Sequence, residues 1–172
     1  AVVGLIGVGQ FARNTLLPAL SKTAFTAHTL ASKSGFLGAV SAKKFKFQTI
    51  SSSYEPLLHS SEINTLFICT RHGQHASLVC EALKQNKHVF VEKPLATTLE
   101  DLEKVKESLS HSKGLLMVGF NRRFSPLITA LKQQVHQRKN PASLIMTINA
   151  GYIPKDHWVH DPIQGGGRLI GE

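Results

Sequence analysis

Short, apolar-rich runs recur along this chain at residues 2–6, 27–31, 47–50, 65–69, 88–91 and 115–118. Runs of this length fit strands buried on both faces of a sheet. Between them lie segments with apolar residues at helical spacing, over residues 13–20, 36–45 and 76–85. Another helix is expected after Thr98, with Asp101 three residues on as in a capping box, running to Ser110. Strand and helix in alternation predict an α/β fold, a right-handed, mostly parallel, doubly wound sheet over residues 1–119. The pattern then changes to a helix over 126–137, a long alternating strand over 142–150 and a loop rich in Gly, Pro and His from 151 onwards. One strand carrying Leu144, Met146 and Ile148 cannot bury its own apolar face, so residues 120–172 are expected to open a second, truncated α+β domain.

The first strand, Val2-Val3-Gly4-Leu5-Ile6, runs straight into Gly7-Val8-Gly9-Gln10-Phe11-Ala12 and then into the first helix. In a strand–turn–helix of this kind the first glycine permits the tight turn and the second lets backbone N–H groups approach a pyrophosphate. The small third residue lets helix and strand pack closely. An anion placed there also meets the positive end of the helix. Gly7, Gly9, Gln10, Phe11 and Ala12 are therefore candidate dinucleotide-binding residues. About twenty residues further on, where a carboxylate would bind a free ribose 2′-OH, stand Ser32, Lys33 and Ser34. A hydroxyl and a cation suit a 2′-phosphate, which predicts NADP in preference to NAD.

Two further strand ends carry chemistry. Cys69-Thr70-Arg71-His72-Gly73-Gln74-His75 follows the fourth strand on the side where open parallel sheets bind ligands, so Thr70 and Arg71 are candidates for cofactor contact and His75 for the start of a helix. The Cys69, His72, His75 spacing is not assigned to a metal, because a strand-borne Cys69 should point into the sheet and no second ligand pair stands nearby. Glu92-Lys93-Pro94 ends the fifth strand. There Lys93 could hydrogen-bond a substrate hydroxyl and help move its proton, with Pro94 fixing the turn that aims it.

Composition narrows the classes. The chain has 172 residues, of which 42% are hydrophobic, enough for a sizeable core. No run reaches the length of a membrane span, the first residues do not read as a signal peptide, and two cysteines make no disulfide framework. A cytoplasmic protein is expected. The net charge of +9 comes from scattered lysines and arginines with no stripe interleaved with aromatics. That fits anionic small molecules better than nucleic acid.

The glycine turn, Thr70 with His75, Glu92-Lys93-Pro94, Val118-Gly119-Phe120-Asn121-Arg122-Arg123-Phe124 and Gly165-Gly166-Gly167 occur in an order that resembles the glucose–fructose oxidoreductase and inositol dehydrogenase family, Gfo/Idh/MocA. The resemblance implies an NAD(P)-binding Rossmann domain over residues 1–119, with Thr70, His75 and Glu92 on the nicotinamide side. It further implies Lys93 as the catalytic or substrate-orienting lysine and Arg123 in contact with cofactor or substrate. Members act on a hydroxyl or carbonyl carbon of a sugar, cyclitol or sugar nucleotide, and the second domain usually supplies an oligomer interface, so a homo-oligomer is expected of the full-length parent. Residues 149–162 look like a subgroup joined to a zinc-dependent alcohol dehydrogenase-like domain. Tyr152, Trp158 and His160 are candidates for stacking on or bonding a sugar. The family pattern usually has an Asp four positions after the triple glycine and an acid/base His eight positions after it. Here Gly171 holds the first position and the chain ends before the second. A competing class is a dinucleotide-binding or sensing module without chemistry.

Overall fold

The computed structural model describes residues 1–149 and 151–171. Six strands form one sheet: β1 (Val2–Ile6), β2 (Thr26–Ala31), β3 (Thr49–Ser51), β4 (Thr65–Ile68), β5 (His88–Val91) and β6 (Leu116–Val118). Their order is β3-β2-β1-β4-β5-β6, with every neighbouring pair parallel. The chain works outward from β1 to β3 and then returns to the other side of β1 with β4, so the switch point lies between β1 and β4. The expected doubly wound α/β sheet is what forms.

The connecting helices follow from local chemistry. The first begins with a π-wound turn (Ala12–Leu16) and continues as α1 (Leu17–Leu20). Ser34 caps α2 (Gly35–Phe45), which ends where Lys46 takes a left-handed conformation with φ of 59°. A short α3 (Glu55–His59) starts with Pro56 in its first turn. Next come α4 (His75–Lys84) and α5 (Leu99–Ser110), the latter capped by the Thr98 hydroxyl, which accepts from the Asp101 N–H at 3.1 Å. Alternate strand residues feed two apolar layers. Leu5 joins Ala12, Leu17, Leu30 and Ala42 on one face, while Ile6 joins Leu66, Ile68, Val79 and Leu83 on the other.

Residues fall into two compact units, one of Ala1–Gly119 with Trp158–Glu172 and one of Phe120–His157. Residues 158–171, grouped by the sequence with the second domain, thus pack on the first unit, as a short 3₁₀ turn (Trp158–His160) and one helical turn, α7 (Arg168–Gly171). The second unit holds a 3₁₀ turn (Asn121–Phe124) and α6 (Pro126–His136), which Ser125 caps and Pro126 opens.

The strand expected over 142–150 does not form among the described residues, 142–149 being irregular, and Ala150 lies outside them. The physical reason is the lack of a partner: a lone alternating segment has no ladder to join, and Ile145 stays 93% exposed. Among the described residues no helix is long and apolar enough to cross a membrane.

Candidate functional site

Parallel strands deliver their carboxyl ends to one rim, and the ladder continues one residue beyond them. Gly7 N donates to Ala31 O at 2.9 Å, Ser32 N to Ser51 O at 3.0 Å and Cys69 N to Ile6 O at 2.8 Å. On the other side of β4, Glu92 N donates to Ile68 O at 2.9 Å and Gly119 N to Val91 O at 2.8 Å. Gly7, Ser32, Cys69, Glu92 and Gly119 therefore form one fixed row above the sheet.

In the glycine turn the two glycines are required for different reasons. Gly7 has a φ of +92°, and a Cβ on it would fall 2.5 Å from the Cys69 carbonyl oxygen, so the fold itself demands glycine there. A Cβ on Gly9 would meet only that oxygen, at 3.9 Å, so packing leaves the space above Gly9 open. Ala12 is buried at 1% exposure while Gln10 and Phe11 face outward. Arg13, which the sequence reading did not single out, folds back so that its Nε donates to Val8 O at 3.1 Å. Its position in the first turn after the glycines was the available signal.

At the end of β2 the Ser32 hydroxyl is buried and committed to its own turn, accepting from Ser34 N at 3.2 Å and donating to Ser34 O at 3.1 Å. Lys33 is exposed at the apex. Of this pair, Lys33 is the one that presents its charged end outward.

Beyond β4, the Thr70 hydroxyl donates to Arg71 O at 3.3 Å, and His75 begins α4 as a fully buried imidazole. Its Nδ1 lies 2.7 Å from Pro94 O and its Nε2 3.1 Å from Thr70 O, tying the β4 and β5 loops together. Burial pulls its pKa below the ordinary 6.5, against the opposing pull of those carbonyls. The unfolded chain therefore takes up a proton at His75 before the folded one does. Stability is expected to fall as pH drops below about 6.5 and to level off once below the folded value. Urea midpoints at pH 8 and pH 5.5 check this, with His75→Gln expected to flatten the difference.

Cys69 is a free, buried thiol, and burial, then the Glu92 charge, push its pKa up. That thiol is held protonated and inert. Glu92 is half-buried, with a carboxyl raised by burial and partly restored by Lys93. Its Oε1 is buried with no hydrogen-bond partner among the described residues, and a Cβ on Gly119 would lie 2.8 Å from it. The Lys93–Pro94 bond is cis, and Lys93 Nζ donates to the Gly171 carbonyl.

The segment 158–171 reaches this rim through the β4–α4 loop. Arg71 donates to the Gln164 side chain and lies over the Trp158 ring at 5.4 Å, and Gly73 N donates to Gln164 O at 3.0 Å. Asp161 accepts from the N–H groups of Ile163 and Gln164, which together with the Gln164 amide hold its carboxyl below the usual range. Gly166 and Gly167 have φ of 72° and 82°, and a side chain on Gly165 would run into the Val159 backbone, so all three glycines serve this turn. Trp158 is part-buried in packing, whereas His160 is exposed. Arg123 and Tyr152 belong to the second unit, where the Arg123 guanidinium stands 4.7 Å over the Phe124 ring and Tyr152 is 85% exposed.

Strand order, switch point and glycine turn define a dinucleotide-binding domain of the Rossmann type. Residues 2–120 match the family model described as "Oxidoreductase family, NAD-binding Rossmann fold". The chain belongs to this Gfo/Idh/MocA oxidoreductase family. It is 41% identical over 80 residues to an inositol 2-dehydrogenase/D-chiro-inositol 3-dehydrogenase of Lacticaseibacillus casei, covering 46% of this chain and 23% of that protein. A levoglucosan dehydrogenase solved with NADH is 26% identical with a TM-score of 0.71, covering 79% of this chain and 39% of that one. A 3-ketoreductase from Actinomadura kijaniata, solved as a Y186F mutant with TDP-benzene and NADP, shares the fold. Its TM-score is 0.82 at 22% identity, over 99% of this chain and 53% of that one. The chain spans about half or less of the length of these relatives.

Proposed function

We propose that this chain forms the NAD(P)-binding part of an oxidoreductase acting on a hydroxyl or carbonyl carbon of a sugar, cyclitol or sugar nucleotide. The observation that carries the reading is the open space over Gly9 beside a strictly packed Gly7. Among the described residues no packing contact requires glycine at 9, whereas a pyrophosphate resting on the turn would. Gly7, Gly9, Gln10, Phe11 and Ala12 would cradle the pyrophosphate, with Arg13 as a nearby cation. Glu92 Oε1, which has no hydrogen-bond partner among the described residues, would accept from a hydroxyl or amide of the nicotinamide half. Thr70, Arg71, His75 and Pro94 would shape that same side, and Arg123, in the second unit, stays a candidate for contact with cofactor or substrate. The nicotinamide, when bound, supplies or takes the hydride. Lys93 orients the substrate oxygen through its ammonium, exchanging the Gly171 carbonyl for it. Trp158 and His160, on the segment packed against the first unit, are each a candidate for substrate contact, as is Tyr152 within the second unit.

NADP is the favoured cofactor, because the end of β2 offers Lys33 and no carboxylate. Isothermal titration with NADPH and NADH at matched ionic strength tests this. NADPH is expected to bind at least about tenfold more tightly, and Lys33→Asp to reverse the order. An unchanged ratio of dissociation constants in that variant would remove the assignment. A cytoplasmic, homo-oligomeric parent that binds small molecules and not nucleic acid goes with this reading.

A further inference from the structure

We infer that Gly119 is a positioning residue for the cofactor: the missing side chain at 119 leaves the Glu92 carboxylate where it takes a hydrogen bond from the nicotinamide half of the dinucleotide. This rests on the oxidoreductase reading above. The two residues are neighbours on the rim, since Glu92 N donates to Ile68 O at 2.9 Å and Gly119 N to Val91 O at 2.8 Å. Both backbones are fixed by the sheet ladder, and only the Glu92 side chain is left to adjust. A Cβ on Gly119 would fall 2.8 Å from Glu92 Oε1, closer than packed atoms come, and 3.2 Å from its Cδ. The carboxylate therefore occupies the space a side chain at 119 would take.

Other tightly packed glycines show what sets this one apart. At Gly7, Gly73, Gly114 and Gly165 a side chain would strike a backbone carbonyl oxygen first, so the fold itself excludes one. At Gly119 the first atom struck is the tip of a flexible side chain, and the backbone is outside the left-handed region. Phe90 Cζ follows at 3.1 Å, also the far end of a side chain. Alanine at 119 is thus compatible with the sheet and incompatible with the present place of the carboxylate.

That place has a use. Glu92 Oε1 is buried with no hydrogen-bond partner among the described residues, a condition that weakens a fold until a donor reaches the oxygen. Glu92 follows β5, two strands along from the glycine turn after β1, while Lys33 follows β2 on the other side. A dinucleotide lying across the switch point, with its pyrophosphate on the turn and its 2′ end at Lys33, brings its nicotinamide half over β4 and β5. That half carries ribose hydroxyls and a carboxamide, donors that suit a carboxylate oxygen.

Isothermal titration tests this on wild type, Gly119→Ala, Glu92→Ala and the double variant, with NADPH, NADH and the fragments 2′,5′-ADP and ADP, which lack the nicotinamide half. Glu92→Ala is expected to weaken the preferred dinucleotide by about tenfold or more and Gly119→Ala by about fivefold or more. Affinity for the matching fragment should stay within about twofold of wild type in both variants. Once the carboxylate is gone, Gly119→Ala should weaken binding no further, and any urea midpoint it loses in the wild-type background should return in the double variant. A dinucleotide affinity unmoved by Gly119→Ala, an equal loss with the fragment, or an affinity or stability loss that persists without the Glu92 carboxylate would overturn the inference. The two claims fail differently. A wild type that binds neither dinucleotide removes the oxidoreductase reading and this inference with it, whereas tight binding with Gly119 and Glu92 uncoupled removes this inference alone.

Discussion

Gly7→Ala is expected to cost the fold about 3 kcal/mol or more, with loss of cofactor binding as a by-product of a disturbed turn. A φ of +92° is strained for any residue with a Cβ, and that Cβ would meet the Cys69 carbonyl oxygen at 2.5 Å and its carbon at 2.8 Å. Both are backbone atoms of a neighbouring strand end, so neither can yield as the tip of a flexible side chain would. Gly9→Ala is the control that isolates ligand from fold. Its backbone is outside the left-handed region and its nearest atom is 3.9 Å away, so stability should change by less than about 1 kcal/mol. Affinity for NADPH should nevertheless fall by at least about tenfold, because the added methyl occupies the approach to the pyrophosphate. Urea unfolding and isothermal titration on both variants supply the comparison. Equal affinity losses without a stability difference would contradict the separate roles of the two glycines.

The second large effect lies at the opposite end of the sheet. Lys87, just before β5, is buried at 6% exposure with no carboxylate among its hydrogen-bond partners. Its Nζ donates to Ser60 O and Ile63 O, each at 2.7 Å, closing the connection between α3 and β4. Lys87→Met keeps most of the apolar stem but leaves two carbonyl oxygens short of a donor in a water-poor setting. A loss of about 3 kcal/mol is expected, from charge-assisted bonds worth about 1.5–3 kcal/mol each, less some packing recovered by the thioether. Cofactor affinity should hold, since the site is built from the other ends of the strands. A urea midpoint within error of wild type would show that the two bonds contribute nothing net.

What the sequence made legible follows from how local each signal is. β5 and the Thr98-capped α5 are readable because an apolar run and a cap are spelled out by adjacent residues. β3 is less so: Phe47, placed in the expected strand, packs into the core at 8% exposure, and pairing starts only at Thr49. α3, with five residues, is too short to display helical periodicity. The alternating segment 142–149 shows the converse, a pattern fit for a strand with no strand beside it. In the candidate site, the residues that follow strand ends are predictable because a parallel sheet delivers them to one rim. The closing of that rim by residues 158–171 is not, since Arg71 and Gln164 stand 93 positions apart and no local pattern joins them. The triple glycine is conspicuous as a motif, yet its reasons, two left-handed conformations and a backbone in the way, are visible only in three dimensions.

The row of rim amides that continues the sheet ladder has a consequence for how such a site works. Gly7, Ser32, Cys69, Glu92 and Gly119 are held by the same bonds that hold the strands, so the floor of the site can loosen only when the sheet itself opens. A ligand settling on that floor freezes little additional backbone and surrenders little conformational entropy in doing so. Adaptation to different substrates is then left to the segments that rise from the row, while the row stays the same rigid bench for all of them.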